Sequence, residues 1–303
     1  MKLKTLTAAL ALSAFAVAGG SLAASAQQTN FNVLDGSGNV IESDVTAFDW
    51  AEFGSGVAQG VGPFGANLSV GQQFDFLYQS NLVNMDGVVP TGMVTTANGG
   101  ALGGSAFQFT IVASIQEEVT GIFPSGGDNV TATFGVIGGT ISIYYDEAGL
   151  SGGGTQANKL TGVGFDDGKE IARFSLMDGI SNFTADLGDS DGAGTAQLDF
   201  ELLAVADFVD ESFLQGILGA IMKMTFDSNL NYPPGTSDTD NFHIGGSAFY
   251  PDYTVGGDDI VFKVDGSNTF STKVPEPATL GLLGAGLVGV CFALRRRSSA
   301  AAA

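Results

Sequence analysis

Cysteine and histidine are almost absent from this chain of 303 residues, and their scarcity removes several kinds of site at once. The only cysteine is Cys291, in an apolar segment near the C-terminus, and the only histidine is His243. Residues 27–273 can therefore form no disulfide, no cysteine nucleophile and no thiolate zinc site. His243 lies in TDNFHIGG, which contains no nucleophile elbow, so we interpret it as an incidental loop residue rather than a member of a catalytic triad.

Basic residues are scarce as well. Residues 27–273 contain 31 acidic and 6 basic side chains, which gives this segment a formal net charge of −25. Such a charge repels nucleic acids and anionic lipids, and it favours solubility, cations and basic partners. The composition therefore excludes nucleic-acid binding, and without disulfides the fold has to be stabilised by its core.

The first 26 residues have the parts of a secretory signal peptide. A basic start and an apolar run over residues 6–18 are followed by small residues at Ala24 and Ala26. Signal peptidase recognises this order, so we predict that it cleaves before Gln27. The sequence then divides into a signal peptide (1–26), an exported glycine-rich β domain (27–273) and a C-terminal segment (274–303).

The residue pattern of the exported domain predicts a series of short strands. Its apolar residues alternate with polar ones in 74–78, 107–123 and 196–204, and many of the 45 glycines separate such runs. Residues 129–146 have the pattern of a hairpin with a turn at Gly138-Gly139. We therefore predict an all-β fold, an antiparallel β-sandwich-like domain.

One segment has the periodicity of a helix. In DESFLQGILGAIMKM, residues 210–224, the apolar side chains recur at helical spacing after Asp210, a suitable N-cap. This pattern predicts one short helix packed on the sheet, although two internal glycines reduce its regularity. The residues with this spacing are Leu214, Ile217, Leu218 and Ile221.

The C-terminal segment combines a short apolar run with a basic cluster. Residues 278–294 are 17 consecutive uncharged and mostly apolar residues, which as a helix would span roughly 25 Å, enough for a thin bilayer. Arg295, Arg296 and Arg297 follow directly, and the positive-inside rule keeps them in the cytoplasm. The segment is thus a stop-transfer element, with a single transmembrane helix that holds the exported domain at the membrane.

Pro275-Glu276-Pro277, the apolar run and the arginine cluster together resemble the PEP-CTERM sorting signal of bacterial exosortase substrates. The resemblance implies that an exosortase, an integral-membrane cysteine transpeptidase, recognises Pro275, Glu276 and Pro277 and cuts nearby. The precursor would then be inserted in the inner membrane, and the mature body would pass to the cell surface or extracellular matrix. Cys291 is not the nucleophile, which belongs to the enzyme. The alternative is a permanently anchored single-pass protein.

Four segments of the body resemble flocculation-associated PEP-CTERM proteins, which help cells to aggregate in exopolysaccharide. This resemblance implies a non-catalytic protein that acts in adhesion, flocculation or biofilm formation, with exopolysaccharide as a partner, and it supplies no catalytic residues. The segments are FDFLYQSNLVNM (74–85), AFQFTIVASIQEEVTG (106–121), ISIYYDE (141–147) and ANKLTGVGFDDGKEI (157–171).

Two other functions stay open from the residues alone. A carbohydrate-binding module would stack exposed aromatic rings on sugars, and a glycosidase would need two carboxylates facing each other across a cleft. The adjacent acids Glu117-Glu118, Asp166-Asp167 and Asp258-Asp259 would point to opposite faces of a strand, so we do not expect an enzyme. The candidate sugar-binding rings are Trp50, Phe53, Phe64, Tyr78, Tyr144, Tyr145, Tyr250 and Tyr253.

One acidic loop is a candidate ion site, and we expect no other cofactor. DLGDSDGAGT places Asp186, Asp189 and Asp191 before Gly192, a pattern of oxygen ligands and a turn that suits calcium. The spacing lacks the glutamate of an EF-hand. An ordinary Asp-Gly turn is the simpler interpretation of the same residues.

Overall fold

Every regular element that the structure describes is a β-strand. The computed structural model describes residues 28–52, 54–61, 68–124, 129–149, 154–159, 161–186, 194–232, 253, 255–256 and 258–271. Within these residues no helix is present that is long and apolar enough to cross a membrane. The strands are β1 (Phe31–Leu34), β2 (Val40–Val45), β3 (Ala47–Trp50), β4 (Gly54–Ala58), β5 (Gln73–Met85), β6 (Phe107–Pro124), β7 (Asn129–Glu147), β8 (Lys169–Asp186), β9 (Gly194–Val209), β10 (Leu214–Gln215), β11 (Ile221–Tyr232) and β12 (Ile260–Ser271).

Nine of the described strands form one sheet that closes on itself. The strand order from β5 is β5, β6, β7, β8, β9, β11 and β12. The sheet closes through β3 and β4, each of which pairs with one stretch of β12 and one stretch of β5. All of these pairings are antiparallel. The predicted antiparallel all-β class is therefore confirmed. A sandwich of two facing sheets is not, because one continuous ladder connects the strands.

A small second sheet packs against the core of the first. Among the described strands, β1 pairs with β10 on one side and β2 on the other. Its Phe31 is buried, with its ring centroid 5.0 Å from that of Phe270 and 5.5 Å from that of Phe48, both in near-perpendicular contact. Edge-to-face pairs of this kind contribute about 0.5–1.5 kcal/mol each beyond their area burial. The N-terminal strand is thus part of the main core.

The alternation of apolar and polar residues predicts the buried face of a strand correctly where that face lines the core. Phe74, Phe76 and Tyr78 are buried on the same face of β5, and Ile141 and Ile143 are fully buried on β7. The opposite face of these strands is also covered in part, because Tyr144 belongs to a second apolar cluster with Phe165. Both faces of this part of the sheet are therefore packed.

The predicted hairpin at Gly138-Gly139 is wrong. β7 runs unbroken through both glycines, and the register with β6 shifts there, so that Gln116 pairs with Gly138 and Glu117 with Val136. This shift leaves an extra residue on β7, which is a β-bulge. Gly139 has a φ of 135°, and a Cβ on it would overlap the carbonyl oxygen of Ser114. The glycines serve a bend within a strand rather than a turn between strands.

The predicted helix over 210–224 is also wrong. The segment forms a turn, the short strand β10, a second turn and the start of β11. Asp210 caps a turn rather than a helix: its Oδ1 accepts hydrogen bonds from the amide (3.0 Å) and the hydroxyl (2.6 Å) of Ser212. Gly216 (φ 108°) and Gly219 (φ 73°) adopt conformations that a helix does not contain.

The bulge gives a test with adjacent glycines. Gly139→Ala should lower the free energy of unfolding by roughly 2–4 kcal/mol, because it adds both backbone strain and a clash within the sheet. Gly138→Ala is the matched control: its Cβ would meet nothing within 4 Å, so its effect should stay below about 1 kcal/mol. Urea denaturation of the purified proteins measures both. Equal effects would contradict the bulge.

Candidate functional site

Most residues that the sequence analysis assigned to sites lie outside the described residues, so their predictions stay predictions. Of the three predicted calcium ligands, only the backbone of Asp186 is described, where it ends β8 opposite Asn129. The residues outside the described ranges are Ala24, Ala26, Gln27, Phe53, Phe64, Asp189, Asp191, His243, Tyr250, Pro275, Glu276, Pro277, Arg295, Arg296 and Arg297.

The first and last residues of the described body lie side by side. Gln28 forms an antiparallel bridge with Ser271, and the amide of Thr29 donates to the carbonyl of Phe270 at 3.0 Å. On its other side Ser271 pairs with Ile221 of β11. We call these five residues the terminal junction. The predicted signal-peptide cleavage before Gln27 and the predicted sorting tripeptide from Pro275 thus flank one small region of the fold.

The end of β12 is held at the junction by its buried side chains. Residues 264, 266, 268 and 270 point inward and alternate with exposed positions. The indole nitrogen of Trp50 donates to Asn268 Oδ1 at 2.6 Å in a buried site, and Phe270 packs on Phe31 and Phe48. Buried hydrogen bonds and aromatic contacts within three residues of Ser271 fix the strand up to its last residue.

A second region with unusual chemistry lies where residues 154–168 cover the sheet. Gln108 of β6 connects the two layers: its Nε2 donates to the carbonyls of Thr155 (2.9 Å) and Gly164 (3.3 Å), and its Oε1 accepts from the amide of Ala157 (3.0 Å). The hydroxyl of Thr110 donates to the carbonyl of Phe165 at 2.6 Å. We call this arrangement the polar layer. The alternation of β6 in the sequence did not reveal it, because both faces of the strand are buried.

Two acidic residues of the polar layer have raised pKa values. Burial raises the pKa of Asp146, whose carboxylate accepts hydrogen bonds from the amide of Gly154 (2.5 Å) and from Gln108 Nε2 (3.3 Å). Burial also raises the pKa of Asp167 to about 6, and the negative charges of Asp146 and Asp166 add to this effect. Asp166 and Asp167 lie in a bend rather than on a strand, so the expectation that they face opposite sides of a strand does not apply.

A third acidic residue also holds loops in place. Asp259 is buried, and its two oxygens accept hydrogen bonds from the amide of Gly60 (2.8 Å), the amide of Gly256 (2.6 Å) and the hydroxyl of Tyr253 (2.6 Å). Its neighbour Asp258 is exposed. Within the described residues, no group of three or more His, Cys, Asp or Glu side chains could hold a metal ion.

The described aromatic candidates for sugar stacking do not form an exposed row. Trp50 and Tyr78 are fully buried, and Tyr144 and Tyr145 are almost so. Tyr253 is half-buried and donates its hydroxyl to Asp259. These five rings therefore do not supply the exposed row that the carbohydrate-binding alternative requires, because they are needed for packing and for holding a loop.

Comparison with known proteins identifies the C-terminal segment. The family model of the PEP-CTERM protein-sorting motif matches residues 273–297. The match begins two residues after the end of β12 and includes the predicted tripeptide, the apolar run and the arginine cluster. No curated protein and no solved structure matches the chain.

The polar layer should make stability depend on pH. Because the pKa of Asp167 is higher in the fold than its ordinary value of 3.8, the fold binds this proton more tightly than the unfolded chain. The ionised carboxylate thus destabilises the fold at neutral pH, and the effect is relieved as the pH falls from about 7 to about 4. Asp167→Asn should raise the unfolding free energy at pH 7 and reduce its gain on acidification.

Urea denaturation at pH 7 and pH 4.5 measures this difference. Asp258→Asn is the matched control, because it removes the same charge from an exposed position. It should leave the difference between the two pH values close to that of the parent. If the stability of Asp167→Asn depends on pH as the parent's does, the raised pKa of Asp167 is contradicted.

Proposed function

From the premise that the chain is a PEP-CTERM sorting-signal protein, we propose that it is a non-catalytic protein of the cell surface or extracellular matrix. The motif indicates that the protein is exported and processed at the membrane by an exosortase. The proposal adds that the mature body acts in exopolysaccharide-associated adhesion, flocculation or biofilm formation. The single observation that carries it is the match over residues 273–297, which begins two residues after the last strand of the described body.

The fold supports the resemblance to flocculation-associated proteins. Three of the four resembling segments lie on β5, β6 and β7, which are neighbours in the sheet. The fourth, 157–171, contains Phe165 and lies on these strands through Gln108 and Thr110. The four segments therefore lie together in one packed part of the fold.

Three acids that hold loops or turns in place support a non-catalytic body. Asp146 and Asp259 each accept backbone amides from the loops that cover them, and Asp210 caps a turn and forms an ion pair with Lys169 at 2.7 Å. A carboxylate that stabilises a loop in this way has its lone pairs engaged in structure. A carbohydrate-binding module or a glycosidase remains an alternative, but the described aromatic rings do not favour the first of these.

The C-terminal end of the mature protein tests the sorting step. In cells that make the protein, the parent chain should be recovered from the surface or medium with its last residue near 275–277. Simultaneous Pro275→Ala, Glu276→Ala and Pro277→Ala should leave the tail intact through Arg297 in the membrane fraction, because the exosortase loses its recognition residues. Mass spectrometry of the C-terminal peptide distinguishes the processed end from the intact tail. Ser298→Ala, beyond the arginines, is the control and should be processed like the parent.

The same strains test the role of the body. Cells without the protein should aggregate less and retain less exopolysaccharide, and the parent chain should restore both properties while the triple alanine variant does not. An intact tail in the parent, found only in the membrane fraction, would contradict sorting. Normal sorting with unchanged aggregation would contradict the adhesive role alone.

A further inference from the structure

The last strand is paired on both sides until its final residue. Ser271 lies between Ile221 of β11 and Gln28, and the hydrogen bond from Thr29 to Phe270 holds the preceding residue. Phe270 is 1% exposed. The chain therefore has no freedom to extend before residue 272 without opening the terminal junction and exposing core side chains.

The recognised tripeptide follows at a very short distance. Four Cα steps separate Ser271 from Pro275, so even at full extension the two lie at most about 14 Å apart. A body of residues 27–273 has a radius of gyration of about 18 Å. An enzyme that holds Pro275–Pro277 in its active site therefore has that site within about 14 Å of Ser271, so the part of the body around Ser271 is the part nearest to the enzyme.

Three sequence segments that meet there are themselves uncharged. Residues 27–34, 212–222 and 266–272 contain no Asp, Glu, Lys or Arg, although the body as a whole carries −25. Charged residues next to the junction include Lys223, Lys273 and Asp86. Asp86 reaches the junction through Thr46, whose carbonyl accepts the amide of Phe270 at 3.3 Å. Leu218, in the turn three residues before Ile221, is 61% exposed. A strongly acidic surface would be repelled by anionic lipid within a Debye length of about 8 Å, and an uncharged one is not. These segments suit an approach to a partner that is embedded in the membrane.

We propose that the terminal junction, together with the exposed Leu218 three residues before Ile221 in the chain, is the surface that the body presents to the exosortase. The three-residue spacer 272–274, which contains Lys273, keeps the enzyme close to this surface, and the uncharged segments of the surface permit the contact. This inference rests on the proposed sorting by an exosortase and adds to it a contact outside the motif. The processing rate should consequently depend on the folded body as well as on the tripeptide.

The test combines a charge at the surface with a longer spacer, in cells that process the parent chain. Leu218→Asp should slow the appearance of the mature C-terminus about tenfold, because a desolvated charge opposes the contact. Ten Gly and Ser residues inserted between Ser271 and Thr272 add up to about 33 Å and should make processing insensitive to Leu218→Asp. Val70→Asp is the control: Val70 is 65% exposed and precedes β5 at the end of that strand far from Met85.

Each outcome bears on one claim. If Leu218→Asp is processed at the parent rate, the junction contact is overturned. If Leu218→Asp slows processing equally with the native and the lengthened spacer, the contact is overturned as well, because that result indicates a folding defect. Leu218→Lys separates enzyme from lipid: slower processing supports contact with the enzyme, whereas faster processing would mean that the surface meets anionic lipid and would overturn the proposal. A parent chain that keeps its tail would overturn the sorting function itself and this inference with it.

Discussion

The pairing of β12 with strands on both of its sides is the constraint on which the rest of the structure depends. β12 contacts β11 along seven residue pairs and returns to β5 through β3 and β4, so it turns an open ladder into a closed one. Closure removes the exposed sheet edges that would otherwise pair with other chains. It also brings together Trp50 and Asn268, whose buried hydrogen bond joins residues 218 positions apart.

This arrangement gives the C-terminal signal its structural setting. Among the described residues β12 is the last strand, and the sorting motif begins two residues after its end. The described body therefore ends at Ser271, which is paired with Gln28 at the start of the same body.

The sequence reveals the features that depend on local patterns. Alternation identified the inward residues of β5 and β7 because one face of each lines the core, and the tail was identified because its three parts follow one another directly. The pattern at Gly138-Gly139 was misread because a glycine pair serves a bulge as well as a turn, and only the register with β6 distinguishes them. The spacing of Leu214, Ile217 and Leu218 fits a helix but arises here from a short strand and two turns.

Long-range features could not be read from the sequence. Sheet closure requires pairing between segments that are far apart in the chain, such as β3 with β12, and no local pattern specifies it. The polar layer depends on Gln108, a single amide on a strand that looks ordinary, and on a loop that reaches it from residues 154–168. Burial raises the pKa values of Asp146 and Asp167, and no local sequence pattern indicates that burial.

The terminal junction at the end of β12 can be tested with one disulfide. Residues 27–273 contain no cysteine, so Gln28→Cys with Ser271→Cys can form only one bond within the body. The hydrogen bond from Thr29 to Phe270 marks Gln28 and Ser271 as a non-hydrogen-bonded antiparallel pair, whose Cα atoms typically lie about 4.5 Å apart, within the range that a disulfide spans. Mass spectrometry of the protein from the cell surface should find the N-terminal and C-terminal peptides joined, with the chain ending near Pro277. Two free thiols in a folded, processed protein would contradict the pairing of Gln28 with Ser271 at the terminal junction.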